Sequence, residues 1–294
     1  MNIYKKTIGE KIFDFTNVIF MIFMMVITLY PFLYVVFASF SEPNLFLAHS
    51  GVLLAPKGFS LSSYRAVINN PNIISGYGNT IFVVFIGTVC NVMMTALGAY
   101  VLSRKNLFWR GPLTALCVLT MYVSGGLIPN YLIVQGLNLI NSRWAMILPG
   151  LVSTYNMIVM RTAFHGIPDS LEESARIDGA KEHIILFRII IPLALPTMAV
   201  IALFYGVSHW NSWFNAMIYI PDKTKHPLQL VLREILINAQ TSDMTFDDAF
   251  AKRFAASQVV KYATIVVATV PILCLYPFLQ KYFVKGIMVG AVKG

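Results

Sequence analysis

The sequence predicts an all-α membrane protein with six transmembrane helices. Three observations carry that expectation. Of 294 residues, 57% are hydrophobic and 12% charged, whereas soluble domains carry about 25% charged residues. The mean hydropathy is +0.69. Six runs free of Asp, Glu, Lys and Arg recur along the chain. With uncharged flanks, each approaches the roughly 20 residues a helix needs to cross a hydrocarbon core about 30 Å thick. The runs are apolar on all sides, which disfavours a β-barrel, whose strands alternate in segments of about 10 residues.

In chain order, the first run is Phe15–Ser41, preceded by Lys5, Lys6 and Lys11. Its uncharged stretch exceeds the apolar core of a signal peptide, about 7–15 residues, and no small-x-small cleavage site follows, so it is expected to remain as helix 1. Helix 2 is placed in Ala66–Ser103 and helix 3 in Gly111–Ser142. Helix 4 takes Trp144–Met160, extended by Arg161-Thr162-Ala163-Phe164; helices 5 and 6 take Ile189–Pro221 and Tyr262–Gln280. Pro31, Pro129, Pro149, Pro196, Pro271 and Pro277 fall inside these runs. A membrane bundle tolerates such prolines, because neighbours satisfy the freed carbonyls, and kinked helices lining a path are expected.

The layout predicts one membrane domain over residues 1–294 with three insertions. Glu42–Tyr77 and Asp222–Lys261 are expected outside the cell; in the second, Leu228, Val231, Leu232, Ile235 and Leu236 share a helical face. The third is Arg161–Ile191. Within its segment 168–192, Ser170 and Glu173 have capping-box spacing, Gly179 permits a reversal, Ala180–Ile190 resumes the helix and Pro192 marks the start of helix 5. Two short helices at an angle are predicted.

The net charge of +9 reads as topology rather than nucleic-acid binding. Lys5, Lys6, Lys11, Arg104, Lys105, Arg110, Arg161, Arg176, Lys181, Arg188, Lys281, Lys285 and Lys293 all fall on one predicted side. The other short loops hold only Lys57, Arg65 and Arg143. Because positive residues near membrane ends stay cytoplasmic, both termini are placed inside. Cys90, Cys117 and Cys274 lie in apolar runs, with no disulfide or metal spacing, and read as small core residues. His49, His165, His183 and His226 form no ligand cluster and read as surface residues. No metal site is expected.

Polar groups inside apolar helices are costly unless satisfied or functional. Asn79, Asn91, Asn156, Tyr205, His209, Asn211 and Asn215 qualify. With Trp210 and Trp213 as stacking faces, Asn79, Tyr205, Trp210, Asn211, Trp213 and Asn215 form the candidate substrate path. The spanning runs hold no Asp or Glu. That speaks against an ion-driven secondary transporter and an intramembrane lipid-modifying enzyme, the two alternative classes.

Glu173, Ala175, Gly179, Ile189 and Pro192 match, in type and spacing, the Glu-Ala-Ala, three residues, Gly, nine residues, Ile-x-Leu-Pro signature of membrane subunits of bacterial binding-protein-dependent ABC importers. Ser174 and Ile191 depart from it by small or isosteric swaps. Trp210-Asn211-Ser212-Trp213-Phe214 resembles the Trp-Asn-aromatic element of carbohydrate-uptake permeases, expected in helix 5. The ending from Gly286 to Gly294 resembles the tail of the maltose-type second permease, and the chain as a whole resembles the Lpl-type subgroup.

The resemblance implies a bacterial cytoplasmic-membrane permease for oligosaccharides from polysaccharide breakdown, with uronate-containing ones among the candidates. Segment 168–192 becomes a coupling segment gripped by an ATPase. Glu173 would make an ionic contact, Ser174 and Ala175 would lie on the docking helix, Asp178 and Gly179 would shape the turn, and Pro192 would close the motif. Gly290 and Lys293 would reach the ATPase. The implied partners are a second permease forming a heterodimer, two ATPase subunits, an external solute-binding protein, the oligosaccharide and membrane lipid. No Gly-x-x-x-x-Gly-Lys-Ser/Thr loop occurs, so ATP and Mg are expected on the partner ATPases and no cofactor on this chain.

Overall fold

The computed structural model describes residues 7–241 and 256–274, and these fold almost wholly into helices. They are α1 (Ile8–Ser39), α2 (Pro43–Ala48), α3 (Ser62–Ile68), α4 (Pro71–Ser103), α5 (Arg110–Tyr122) and α6 (Leu127–Gly136). Two 3-10 turns, Arg143–Met146 and Leu148–Gly150, precede α7 (Thr154–His165) and α8 (Asp169–Ile177). Next come α9 (Glu182–Ile185), a π turn at Leu186–Ile190, α10 (Ile191–Leu193), α11 (Leu195–Trp210) and α12 (Phe214–Tyr219). A 3-10 turn at Lys223–Lys225, α13 (Leu228–Thr241) and α14 (Ala256–Cys274) complete the described chain.

Three helices, α1, α4 and α14, are long and apolar enough to cross a membrane; two bent pairs raise the number to five. In one pair α5 and α6 meet at 112°, in the other α9–α10 meets α11 at 86°. The first bend falls at Gly125-Gly126, where Gly126 has φ +85°. The second falls at Ala194, so Pro192 lies within α10 and does not mark the bend. The predicted fourth run folds as the two 3-10 turns and the 12-residue α7, shorter than a regular span.

The prolines explain part of this. Pro129 and Pro196 sit in the first turns of α6 and α11, Pro149 sits in a 3-10 turn, and Pro192 directly follows the π turn in the continuous helical stretch Glu182–Leu193. A first turn has no intrahelical partner for its amide hydrogens, so proline costs little there. Pro31 lies inside the continuous α1.

The described residues divide into two units. One comprises residues 7–70, 234–241 and 256–270, the other residues 71–233 and 271–274. In the first, α1 starts with a Thr7–Glu10 capping box. Tyr34 packs edge-on against Phe46 and Tyr262 at 6.3 and 5.8 Å, and Tyr30 Oη accepts from the Leu53 amide at 3.1 Å.

In the second unit α4 packs chiefly on α11 and α7. Many of its inward residues are small or polar: Gly76, Thr80, Gly87, Asn91 and Thr95 recur at intervals of four or seven residues, with Asn79 beside Thr80. Ile81, Phe85, Val89 and Met93 face outward. That inversion suits a bundle whose exterior meets lipid and whose helices associate through close backbone approach. Gly87 is the tightest point, where a Cβ would lie 2.6 Å from His209 Nε2. One apolar cluster gathers Tyr100, Met160, Phe164, Ile185 and Ile201; another gathers Val83, Val134, Ile147, Tyr219 and Leu230.

Two expectations are corrected here. Cys274 is exposed, and Cys90 and Cys117 are only half-buried, with Cys117 packed at the edge of an apolar cluster. His226 is buried rather than on the surface, donating from Nε2 to the Ile220 carbonyl at 2.9 Å.

Candidate functional site

The segment between α7 and α11 is a hairpin of short helices, as predicted, but its start differs. Pro168 is the N-cap of α8 and no side chain caps it; Ser170 lies inside the first turn, so the predicted capping box with Glu173 is absent. Proline fixes the backbone at the cap, and Asp169 and Glu172 supply first-turn negative charge, which the helix dipole favours. The end of α8 is a Schellman turn. The Ala180 amide bonds to the Ala175 carbonyl at 2.9 Å and the Gly179 amide to the Arg176 carbonyl at 3.0 Å. Gly179 sits at φ +78°, the left-handed position where glycine is favoured.

The hairpin is fastened to the end of α4. Arg104 pairs with Glu172, and Lys105 with Asp169. The Arg104 guanidinium also lies 4.2 Å from the Tyr100 ring centroid and bonds Ser103 Oγ at 3.0 Å. Tyr100 Oη donates to Glu182 at 2.5 Å, and Arg176 pairs with the same carboxylate at 2.6 Å. Arg161, near the end of α7, donates from Nε to the Leu102 carbonyl at 3.0 Å. The hydrogen bond from Lys105 holds the Asp169 carboxyl below its ordinary range. A cleft of about 610 Å³ separates the end of α4 from the hairpin, lined by Tyr100, Arg104, Phe164, Glu172, Glu173 and Glu182.

Glu173, Ser174, Asp178 and Gly179 are exposed on this hairpin, whereas Ala175 and Ala180 pack half-buried on the apolar cluster beneath. Pro192 is exposed and lies beyond the π turn. Sequence reasoning missed Glu172, Glu182, Tyr100 and the fastening role of Arg104 and Lys105. The available signal was two acids three residues apart, Asp169 and Glu172, in a chain whose adjacent basic pair had been assigned only to topology.

The predicted substrate-path residues separate. Asn79 donates to the Thr224 and His226 carbonyls at 2.8 and 3.0 Å. Asn91 donates to the Gly150 and Leu151 carbonyls at 2.7 and 2.9 Å. With both amide hydrogens engaged, its oxygen must accept, so His209 Nε2 donates to it at 2.8 Å. Tyr205 Oη accepts from the Ser153 amide at 2.8 Å and shares a 2.7 Å hydrogen bond with Thr95. These groups satisfy backbone carbonyls and an amide in the irregular segments between the helices. Asn156 is buried, and Asn211 bonds back to the Val207 carbonyl.

Trp210 differs: it is buried, edge-on to Tyr77 at 6.4 Å, and its Nε1 has no partner among the described residues. Arg233 lies 4.2 Å over the Trp213 ring, and Asn215 is half-buried. The Trp-Asn-aromatic element is not inside one helix. Asn211 is the C-cap of α11, and α12 begins at Phe214. Among the described residues, no group of three or more His, Cys, Asp or Glu could hold a metal. Gly290 and Lys293 lie outside the described residues.

No protein-family model matches the chain. The chain is 40% identical over 285 residues to the polygalacturonan/rhamnogalacturonan transport system permease protein YtcP of Bacillus subtilis, covering 97% of this chain and 99% of that one. It is 40% identical over 290 residues to protein LplC of the same organism, covering 98% and 97%. Its structure matches a chain of a bacterial ABC transporter involved in import of the acidic polysaccharide alginate, with TM-score 0.86 and 30% identity, covering 95% of this chain and 99% of that one.

Proposed function

The chain belongs to the permease family of ABC carbohydrate importers, and we propose that it passes acidic oligosaccharides inward as one half of a pathway driven by separate ATPases. It is a transport subunit, not an enzyme; the relatives are transport permeases, and neither the ion-driven transporter nor the lipid-modifying enzyme is favoured. The observation that carries the mechanism is the fastened hairpin. Its inner side is tied to α4 through Glu172, while the neighbouring Glu173 is exposed on α8 and lines the open cleft beside it.

In this proposal Glu173 supplies the ionic contact, Ser174 and Asp178 flank it, Ala175 seats the helix, Gly179 turns the chain and Pro192 anchors the start of the return. The tail residues Gly290 and Lys293 reach the same ATPase. Two ATPase subunits bind ATP and Mg; a second, homologous permease completes the pathway as a heterodimer, and an external solute-binding protein delivers the sugar. Counting α7 and its preceding turns as the fourth crossing gives six crossings, which puts both termini on one side; the basic short loops support the cytoplasmic side.

The acidic character of the substrate is supported by relatives whose names refer to polygalacturonan/rhamnogalacturonan and to alginate. The chain's own chemistry agrees. Arg233 over Trp213 and Arg143 over Phe82 each place a cation beside a flat apolar ring, and neither arginine has a carboxylate partner among the described residues. A uronate ring presents the matching carboxylate and apolar face. Trp210 and Asn215 join Trp213 on this path, whereas Asn79, Tyr205 and Asn211 hold the backbone that shapes it.

The test is Glu173→Arg. Uptake and ATPase co-purification should be lost while the chain still inserts into the membrane. Uptake that survived would remove the hairpin from the coupling role.

A further inference from the structure

The outer face of α5 and α7 carries a groove that the transport reading does not use. Its volume is about 690 Å³, and its wall is a stripe of α5 that includes Gly111, Ala115, Val118 and Tyr122. Gly111 and Ala115 recess the wall. Thr114 turns its hydroxyl back to the Arg110 carbonyl at 2.7 Å, so it adds little polarity. Two cations, Arg110 and Arg161, are the only charged side chains among the described residues that line the groove.

The helices run antiparallel here: Thr120 meets Thr154 at 3.0 Å, while Arg110 and Arg161 share the other end. From Arg110 to Tyr122 the stripe rises about 18 Å at roughly 1.5 Å per residue, little more than half of an about 30 Å hydrocarbon core. Phe108 and Trp109 project beside Arg110, 91% and 60% exposed. Aromatic residues of this kind sit at headgroup level, which places the cationic end at the membrane–water boundary. Arg161 uses Nε on the Leu102 carbonyl, and its two Nη atoms have no partner among the described residues. Arg110 has no side-chain partner there either.

We propose that this groove binds one anionic phospholipid. The acyl chain lies along the α5 stripe, and Arg110 and Arg161 clamp the phosphate. The occupant follows from charge and depth: a guanidinium pair prefers phosphate, and an apolar groove one leaflet deep accepts a hydrocarbon chain but not a sugar. Basic pockets between transmembrane helices hold anionic headgroups by the same chemistry. Arg161 already fastens α7 to the end of α4, so the bound lipid would brace the end of the bundle that carries the hairpin.

The test uses the full chain purified in mild detergent with the subunits that accompany it. Retained lipid is counted by native mass spectrometry after adding phosphatidylglycerol or phosphatidylcholine, and inorganic phosphate serves as the control. The expected result is selective retention of phosphatidylglycerol, weakened about tenfold in Arg110→Gln/Arg161→Gln, equivalent to about 1.4 kcal/mol. Ala115→Trp fills the groove without touching the charges and should displace the lipid equally, which guards against misfolding of the double variant. Equal retention of phosphatidylcholine, competition by inorganic phosphate alone, or retention unchanged in Ala115→Trp would overturn the proposal. So would a disulfide from Ala115→Cys to a helix of the second permease, because the groove would then be a protein interface.

Discussion

Arg104→Ala tests whether the hairpin is truly fastened to α4. The side chains of Arg104 and Glu172 are 19% and 11% exposed, so removing the cation strands a mostly buried carboxylate. Breaking a fully buried pair this way costs about 3–5 kcal/mol. Residual solvent access reduces that here, to about 2–3 kcal/mol including the lost contact with the Tyr100 ring. Adding Glu172→Gln removes the stranded charge, so the double variant should lose only about 1 kcal/mol. Arg104→Lys keeps the charge but not the guanidinium plane that lies over Tyr100, and should fall between. The assay is thermal unfolding of the purified chain, with protease nicking around 177–182 as the local reporter. Strictly additive costs, with coupling below about 0.5 kcal/mol, would show that the pair does not hold the hairpin.

Two further outcomes follow from the same hairpin. Gly179→Ala should cost about 1–2 kcal/mol and open the hairpin to protease. A Cβ there meets nothing within 4 Å, so the cost is backbone strain alone; a neutral substitution would refute the left-handed turn. The Asp169 carboxyl titrates below its ordinary value of 3.8 because Lys105 bonds its charged form. A depressed carboxyl stabilises fully above its unfolded-state value and loses that contribution as pH falls through the lowered one. The thermal advantage of the wild-type chain over Asp169→Asn should stay flat from about pH 5 to about pH 8 and shrink only below 3.8. A change between those upper limits would assign the titration to another group.

The sequence made some of this legible and hid the rest for physical reasons. Helices α1 and α4 were readable because each is one unbroken apolar run. The reversal at Gly179 was readable because only its residue type suits φ > 0. The runs Gly111–Ser142 and Trp144–Met160 misled, because apolar length reports solvent preference and not where the backbone turns. Gly125-Gly126 and Pro149 were the local clues. Asn79 and Asn91 were identifiable as buried polar groups, but their partners are carbonyls in distant 3-10 turns, 145 and 59 residues away. Pairings over such separations leave no periodic trace. Arg104 and Glu172 are 68 residues apart, so nothing local in the sequence marks them as a pair.

The attachments of the hairpin decide how a push on it spreads. On its entry side α8 follows α7 directly, and α7 is tied by Arg161 to the last turn of α4. On its exit side α9 runs through the π turn into α10 and, across the Ala194 bend, into α11. Between these, Arg104 and Tyr100 fasten the two arms, at Glu172 and Glu182, to one turn of α4. A displacement of the hairpin therefore acts on α4, α7 and α11 together. These are the helices whose close packing at Gly87, Asn91 and Tyr205 leaves little room for one to move alone. Packed helices with satisfied buried polar contacts shift as a body rather than deform continuously. Under the coupling proposal, a push on the hairpin reaches the bundle as a rigid displacement, which is what exposing a buried path first to one side of the membrane and then to the other would require.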